Sequence, residues 1–377
     1  MLTMEDKTSI YNLYYSWWKN IDKTIFFIII LFFTIGLFFS LVSTSLIASD
    51  KLETNSYSFF FKHLIYISLG IIIIILLSII DSISLLKFSL IFFFIILISL
   101  FLVPLIGVEV KGSKRWIDLF ILPRFQPIEL LKPFFIIFLA TILSTEKRIN
   151  INLKYTFSFL TTLLISGLLF IQPDIGQTLL ILFTWAVLIF TSGVNILFLS
   201  VFASSALIFL VYLVMFVSKF SYIKSRILSF FNKESGTHNF QSDKALDSIT
   251  SGGFFGKGIG EGTLKNKVPE AHTDYIISVI SEEFGVIAIM LIIILFLTFI
   301  YTVFKRILTI QEERYKLILV GCSSLILMQA IIHIGVNIRL FPTTGMTLPF
   351  LSYGGSSIVS ISIISGIILN LTKRKID

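Results

Sequence analysis

The chain reads as an all-α polytopic membrane protein, with about ten transmembrane helices and one long polar loop between the seventh and the eighth. Three observations predict this class. Hydrophobic residues make up 56% of the 377 positions and charged residues 14%, with a mean hydropathy of +0.95; a soluble domain is roughly half apolar and about a quarter charged. Apolar runs approaching the ~20 residues that a spanning helix needs recur along the whole chain. They are interrupted at length only once, by the polar stretch 218–273. No Pro/Gly/Ser-rich linker divides two halves, so residues 1–377 are expected to form a single domain. With lipid as the main solvent, no nucleic acid partner is expected.

In chain order the runs are 24–48, 64–80, 88–107, 127–144, 156–171, 178–192, 195–217, 275–304, 317–334 and 352–371. Before the first stand Trp17 and Trp18 beside Lys19, and the run that follows is too long for a cleavable signal core, so it is expected to remain as a signal anchor. An even number of spans puts both termini on one side. Counted over short loops alone, that side carries 14 Lys and Arg and the other side 7. The positive-inside rule then places both termini in the cytoplasm and the long loop outside. Cys322, the single cysteine, lies inside run 317–334; it has no partner for a disulfide and reads as a buried small hydrophobe.

The outer face is left with an unusual concentration of cations: Lys111, Lys114, Arg115 and Arg124 in one loop, Lys257, Lys265 and Lys267 in another, and Arg339 near the end. An anionic ligand is the natural inference. The long loop opens with a basic amphipathic stretch, 218–231, read as an interfacial helix. Next come Gly252, Gly253, Gly256, Gly258, Gly260 and Gly262, either a flexible connector or a run offering N–H groups to phosphate oxygens. It closes on Pro269-Glu270-Ala271-His272-Thr273-Asp274 directly before a span. Thr273 or Asp274 is either a helix cap or, in the case of Asp274, a general base able to take a proton from an attacking sugar hydroxyl.

Glu129 and Lys132 lie three residues apart on one face of a spanning run. Ionisable groups there face a bundle interior or a wet cavity, and the pair either serves a site or only locks helices together. Asp174, in Gln172-Pro173-Asp174, reads as the cap of the next helix. Glu282 and Glu283, about two turns beyond Asp274, are candidates to support it. The last outer segment, Arg339 to Ser357, holds two prolines and three glycines in an apolar setting; such irregular backbone at membrane depth is tolerated only within protein or along a wet cavity. His63, His238, His272 and His333 have no metal-ligand spacing.

Taken together these motifs resemble the SEDS family (shape, elongation, division and sporulation) of FtsW and RodA. The resemblance spans nearly the whole chain and rests on Gly112-Ser113-Lys114-Arg115-Trp116-Ile117, Gln126 through Lys132, Gln172-Pro173-Asp174-Ile175-Gly176, Pro269 through Asp274 and Leu348 through Ser357. Ala271, where RodA proteins tend to carry Arg, favours FtsW. Ile128 departs from the usual Ser, and the 113–125 loop carries extra apolar residues.

The resemblance implies a peptidoglycan glycosyltransferase that polymerises lipid II during septal wall synthesis. It implies Asp274 as the catalytic carboxylate and Glu129 and Lys132 in the functional core. Substrate-binding candidates are Lys111, Lys114, Arg115, Glu129, Lys132, Lys265, Lys267, His272, Arg339, Ser356 and Ser357. A divalent cation, Mg or Mn, is a possible cofactor. The expected partners are a class B penicillin-binding transpeptidase and other divisome membrane proteins, and the expected location is the division septum in the bacterial inner membrane. Two other classes stay open on the residues alone: a lipid II flippase using Glu129 and Lys132 near the midplane, and a non-catalytic divisome scaffold.

Overall fold

The structure, a computed structural model, describes residues 15–44, 58–110, 113–119, 123–144, 151–217, 221, 224–225, 228, 230, 240–264 and 268–373. Ten long apolar helices run through the described residues: α1 (Lys23–Thr44), α2 (Ser58–Ile79), α3 (Ser82–Ile106), α4 (Pro127–Leu143), α5 (Ile151–Ile171), α6 (Ile175–Thr191), α7 (Ile196–Phe216), α9 (Ile276–Ile307), α10 (Glu313–Asn337) and α11 (Gly355–Leu371). The amphipathic α8 (Phe240–Gly252) precedes α9. The predicted interfacial helix at 218–231 falls largely outside the described residues.

Five helices, α2, α3, α5, α6 and α10, start three or more residues before their apolar runs because polar residues belong to their first turns. Asp81 shows why: its carboxylate accepts from the N–H groups of Ile83 and Ser84 and so opens α3 several residues before the apolar run. One short β-hairpin interrupts the helical pattern. In it β1 (Val108–Val110) pairs antiparallel with β2 (Ser113–Trp116), and an isolated bridge joins Ile117 to Phe125.

Cross-chain bonds confirm that the helices alternate in direction. At the end that holds the termini, Trp17 Nε1 donates to Ser78 Oγ (2.8 Å), Arg306 pairs with Asp22, Arg314 Nε donates to Ser144 Oγ (3.3 Å), and Asn370 Nδ2 donates to the carbonyls of Leu77 and Ile80. The hairpin, the 172–174 turn, the end of the long loop and the 338–354 segment all gather at the other end.

Small residues let the central helices approach. A Cβ on Gly70 would collide with Ser362 of α11, and one on Gly366 would come within 2.8 Å of Leu77; close backbone approach of this kind is how helices associate in lipid. The outer faces of α2, α3 and α7 expose Ile65, Leu105, Leu197 and Ile208, among others, as lipid-facing side chains should be. Cys322 is buried and unbridged.

Span 275–304 differs from expectation: α9 is broken at Gly285 (φ 76°, ψ −178°). The carbonyls and N–H groups freed by the break need partners, since no water is available in lipid. The glycine-rich segment supplies them. Lys257 N and Gly258 N donate to Glu282 O and Glu283 O (2.9 and 3.0 Å), while Val286 N and Ile287 N donate to Gly253 O and Phe254 O (3.0 and 3.3 Å). Side chains on Gly252, Gly256 or Gly285 would collide with the facing backbone. The glycine segment is therefore held against α9 and is not a slack connector; Gly258 N is spent on the break, Gly256 N on Gly252 O and Gly260 N on the Glu283 carboxylate.

Candidate functional site

The interior of the bundle holds a buried ion pair. Lys132 Nζ lies 2.7 Å from Glu129 Oε2 on α4, and both residues are buried. Gln177 Nε2 of α6 donates to Glu129 Oε1 at 2.5 Å, and Lys132 Nζ donates to Gln329 Oε1 of α10 at 3.1 Å. Pro133 has no N–H for the carbonyl of Glu129, the usual i−4 acceptor. Ser360 Oγ of α11 fills that position at 2.6 Å. Three helices, α6, α10 and α11, thus converge on one turn of α4.

From Gln329 a polar ladder climbs α10 towards the loop end. Gln329 Nε2 donates to Thr347 O (3.0 Å), and His333 Nδ1 lies 2.8 Å from Met346 O. A carbonyl only accepts, so this nitrogen carries the proton. One turn further, Asn337 Nδ2 donates to His333 O (2.9 Å) and to Asp274 O (3.1 Å). These three side chains, spaced four residues apart, fix the irregular segment 338–354 and Asp274, two residues before α9. Ser352 Oγ adds a bond to Thr273 O (2.7 Å), and Tyr353 N one to His272 O (3.1 Å). Arg339, Gly345 and Phe350 all have positive φ, and Phe350 is stacked on Phe32 at 4.8 Å, which anchors the segment in the core.

Asp274 is half-buried in this setting, and a Cβ at Gly345 would stand 3.6 Å from its Oδ2. The cap position of α9 is Tyr275, which makes no side-chain cap bond, and Thr273 Oγ1 bonds Glu270 instead. The cap position of α9 is therefore neither Thr273 nor Asp274.

The β-hairpin and the 172–174 turn close the other flank. Arg115 Nε donates to Gln172 O (3.2 Å), its guanidinium also bonds Pro173 O, and Nη1 lies 3.7 Å from Asp174 Oδ2. Asp174 caps α6 as expected, accepting from Gln177 N, and also takes a bond from Gln126 Nε2 (3.0 Å). Burial raises its carboxyl above the ordinary carboxylate range; the Arg115 guanidinium and the Gln177 N–H oppose that rise. At Gly176 the turn runs so close to the irregular segment that a Cβ would stand 2.8 Å from Thr344.

The fold thus brings Arg115, Glu129, Lys132, His272 and Asp274 into one connected region. His272 packs its ring 4.9 Å from Phe59. Lys114 is exposed on β2, opposite Glu109. Ser356 and Ser357 are buried and engaged by the protein: Gln126 N donates to Ser356 Oγ (3.0 Å), and Ser357 Oγ lies 2.7 Å from Thr347 Oγ1. Arg339 Nη1 pairs with Asp243 Oδ1 of α8 at 2.5 Å, which ties the long loop to the end of α10. Arg124 pairs with Asp118 (2.7 Å). Lys111, Lys265 and Lys267 lie outside the described residues.

Glu282 and Glu283 do not serve Asp274. Glu282 takes bonds from Ser248 Oγ (2.9 Å), Leu264 N (2.9 Å) and Lys257 Nζ (3.4 Å), and Glu283 takes one from Gly260 N (3.3 Å), so both hold the loop. Four residues absent from the sequence-based candidates belong to the site: Gln126, Gln177, Gln329 and Asn337. Among the described residues no three His, Cys, Asp or Glu side chains converge as a metal site. The described side chains therefore offer no set of donors that would hold a divalent cation by protein alone.

The comparisons agree with this architecture. The family model for cell cycle proteins of the FtsW, RodA and SpoVE type matches residues 22–376. A probable peptidoglycan glycosyltransferase FtsW of Trichlorobacter lovleyi is 36% identical, with 75% of this chain and 74% of that protein covered. The corresponding FtsW of Haemophilus influenzae is 32% identical (93% and 90%), and stage V sporulation protein E of Bacillus subtilis is 32% identical (93% and 97%). Among solved structures, a chain of a peptidoglycan synthase complex that coordinates polymerisation and crosslinking is 25% identical, with 93% of this chain and 97% of that chain covered and a TM-score of 0.77. RodA of Thermus thermophilus is 26% identical (93% and 96%), with a TM-score of 0.67. This multi-pass membrane protein belongs to the FtsW/RodA/SpoVE family.

Proposed function

We propose that this protein is a peptidoglycan glycosyltransferase of the FtsW type, which polymerises lipid II into glycan strands. The carrying observation is the placement of Asp274: a half-buried carboxylate at the loop end, its backbone held by Asn337 and its neighbours by Ser352 and Tyr353. Asp274 takes the proton from the 4-hydroxyl of the acceptor lipid II, the lipid-linked glycan being the donor. The freed oxygen attacks the anomeric carbon of the lipid-linked donor with inversion, and the bond to the lipid pyrophosphate breaks. A glycosidase needs a second carboxyl to protonate a poor leaving group; pyrophosphate leaves without one. Of the loop cations expected to neutralise it, Lys114 and Arg115 are among the described residues, and fixed positive charge favours a departing anion.

The positive-inside count supports cytoplasmic termini and an outer catalytic face; residence in the bacterial inner membrane at the division septum goes with the FtsW-type reading. The structural relative from a synthase complex supports a class B penicillin-binding transpeptidase as partner, alongside other divisome proteins. Purified protein given labelled lipid II should make glycan chains, and Asp274→Asn should abolish them while the protein keeps its melting profile. Polymerisation by that variant would overturn the assignment. Lipid transfer between leaflets without chain growth would favour a flippase, and neither activity would favour a scaffold.

A further inference from the structure

Phe254 and Phe255 are 74% and 82% exposed, and Ile259 is 65% exposed. Large apolar side chains on an extramembrane loop are seldom left in water as a cluster. The backbone beneath them is fixed. Gly253 O and Phe254 O accept bonds from Val286 N and Ile287 N, and Lys257 N and Gly258 N donate into the same break. Positive φ at Gly253, Gly256 and Gly258 lets the turn fold back on α9.

The depth of this turn follows from α9. Val286 to Phe304 is 19 residues, or about 28 Å of helix at ~1.5 Å per residue, close to the ~30 Å of a hydrocarbon core. Lys305 and Arg306 mark one boundary of that core, so the break at Gly285 marks the other. Val286, Ile287, Met290 and Leu291, just below the break, are exposed along the lipid-facing side of α9. Phe254 and Phe255 continue that surface at the level where aromatic side chains concentrate in membrane proteins. Lys257, bonded to Glu282, keeps its charge at head-group height.

We propose that residues 253–259 form a membrane anchor, inserting Phe254, Phe255 and Ile259 among the acyl chains of the leaflet on the loop end. Because the anchor is stapled to α9, it holds the loop that carries Asp274 at a fixed depth. Insertion stands independently of the enzymatic reading; only its consequence for catalysis rests on it. In a Cys322→Ala background, Phe254→Cys, Phe255→Cys and Ile259→Cys are spin-labelled in vesicles of phosphatidylethanolamine and phosphatidylglycerol. Their accessibilities to oxygen and to a water-soluble nickel chelate are then compared with labels at Met290 and Asp247. Labels that follow Met290, favouring oxygen several-fold over the chelate, are expected. Labels that follow Asp247, or that are shielded from both reagents by protein, would overturn the proposal. For the consequence, Phe254→Ser/Phe255→Ser should lose polymerisation several-fold in vesicles relative to its own rate in detergent. An unchanged ratio would refute the depth-setting role while leaving the accessibility result to stand alone.

Discussion

Lys132→Met removes the ammonium that faces Glu129 at 2.7 Å inside the bundle. At that distance and an effective dielectric of about 20, two unit charges attract by about 6 kcal/mol. Burial of each ion costs several kcal/mol, so the intact pair contributes little net stability. The single variant is different: Glu129 keeps only the bond from Gln177 Nε2, and Gln329 Oε1 loses its donor. Removing one partner of a buried pair costs about 3–5 kcal/mol, and Lys132→Met should be destabilised by about that much. The double variant Glu129→Gln/Lys132→Met carries no buried charge, and its glutamine still accepts from Gln177, so most of the loss should return. Denaturant unfolding in detergent, followed by tryptophan fluorescence, measures the stabilities, and labelled lipid II measures activity. A single variant within about 1 kcal/mol of wild type would contradict the burial of the pair. Recovery of polymerisation together with stability in the double variant would show that the pair only holds helices, and would remove it from the functional core.

Two further substitutions test the frame around Asp274. Asn337→Leu removes the donor to Asp274 O; since misplacement by about 1 Å can cost on the order of 100-fold, polymerisation should fall at least tenfold. Its KM for lipid II should change little, and an unaltered kcat would rule out a positioning role. Gly285→Ala forces a Cβ onto a residue with φ of 76° and into the Phe254 carbonyl. It should cost about 1–3 kcal/mol and expose the 252–264 segment to protease; wild-type protection would contradict the break.

The ten spans were legible because lipid leaves so few alternatives to long apolar runs, and their order alone placed Arg115, Asp174, Asp274 and Arg339 at one end of the bundle. Asp274, Glu129, Lys132 and Arg115 stood out for the same reason, as charges that an apolar chain has no use for elsewhere. The amides were harder to see. Gln126, Gln177 and Gln329 carry no charge, and their roles depend on which helices become neighbours, information that one strand of sequence does not hold. The ladder on α10 was readable in part, since Gln329, His333 and Asn337 recur every fourth residue. The break at Gly285 was not readable: a single glycine in an apolar run has the same appearance whether the helix continues or stops. That break in turn misled the reading of Glu282, Glu283 and the glycine run, which are its partners.

The ladder on α10 grips its neighbours by their main chain. Gln329, His333 and Asn337 hold the carbonyls of Thr347, Met346 and Asp274, and a carbonyl is common to every amino acid. Thr347 Oγ1 and the buried Met346 add their own contacts to that hold. A substitution along 344–347 that spares the carbonyl bonds therefore leaves the grip of α10 on this segment intact, whatever side chain it presents.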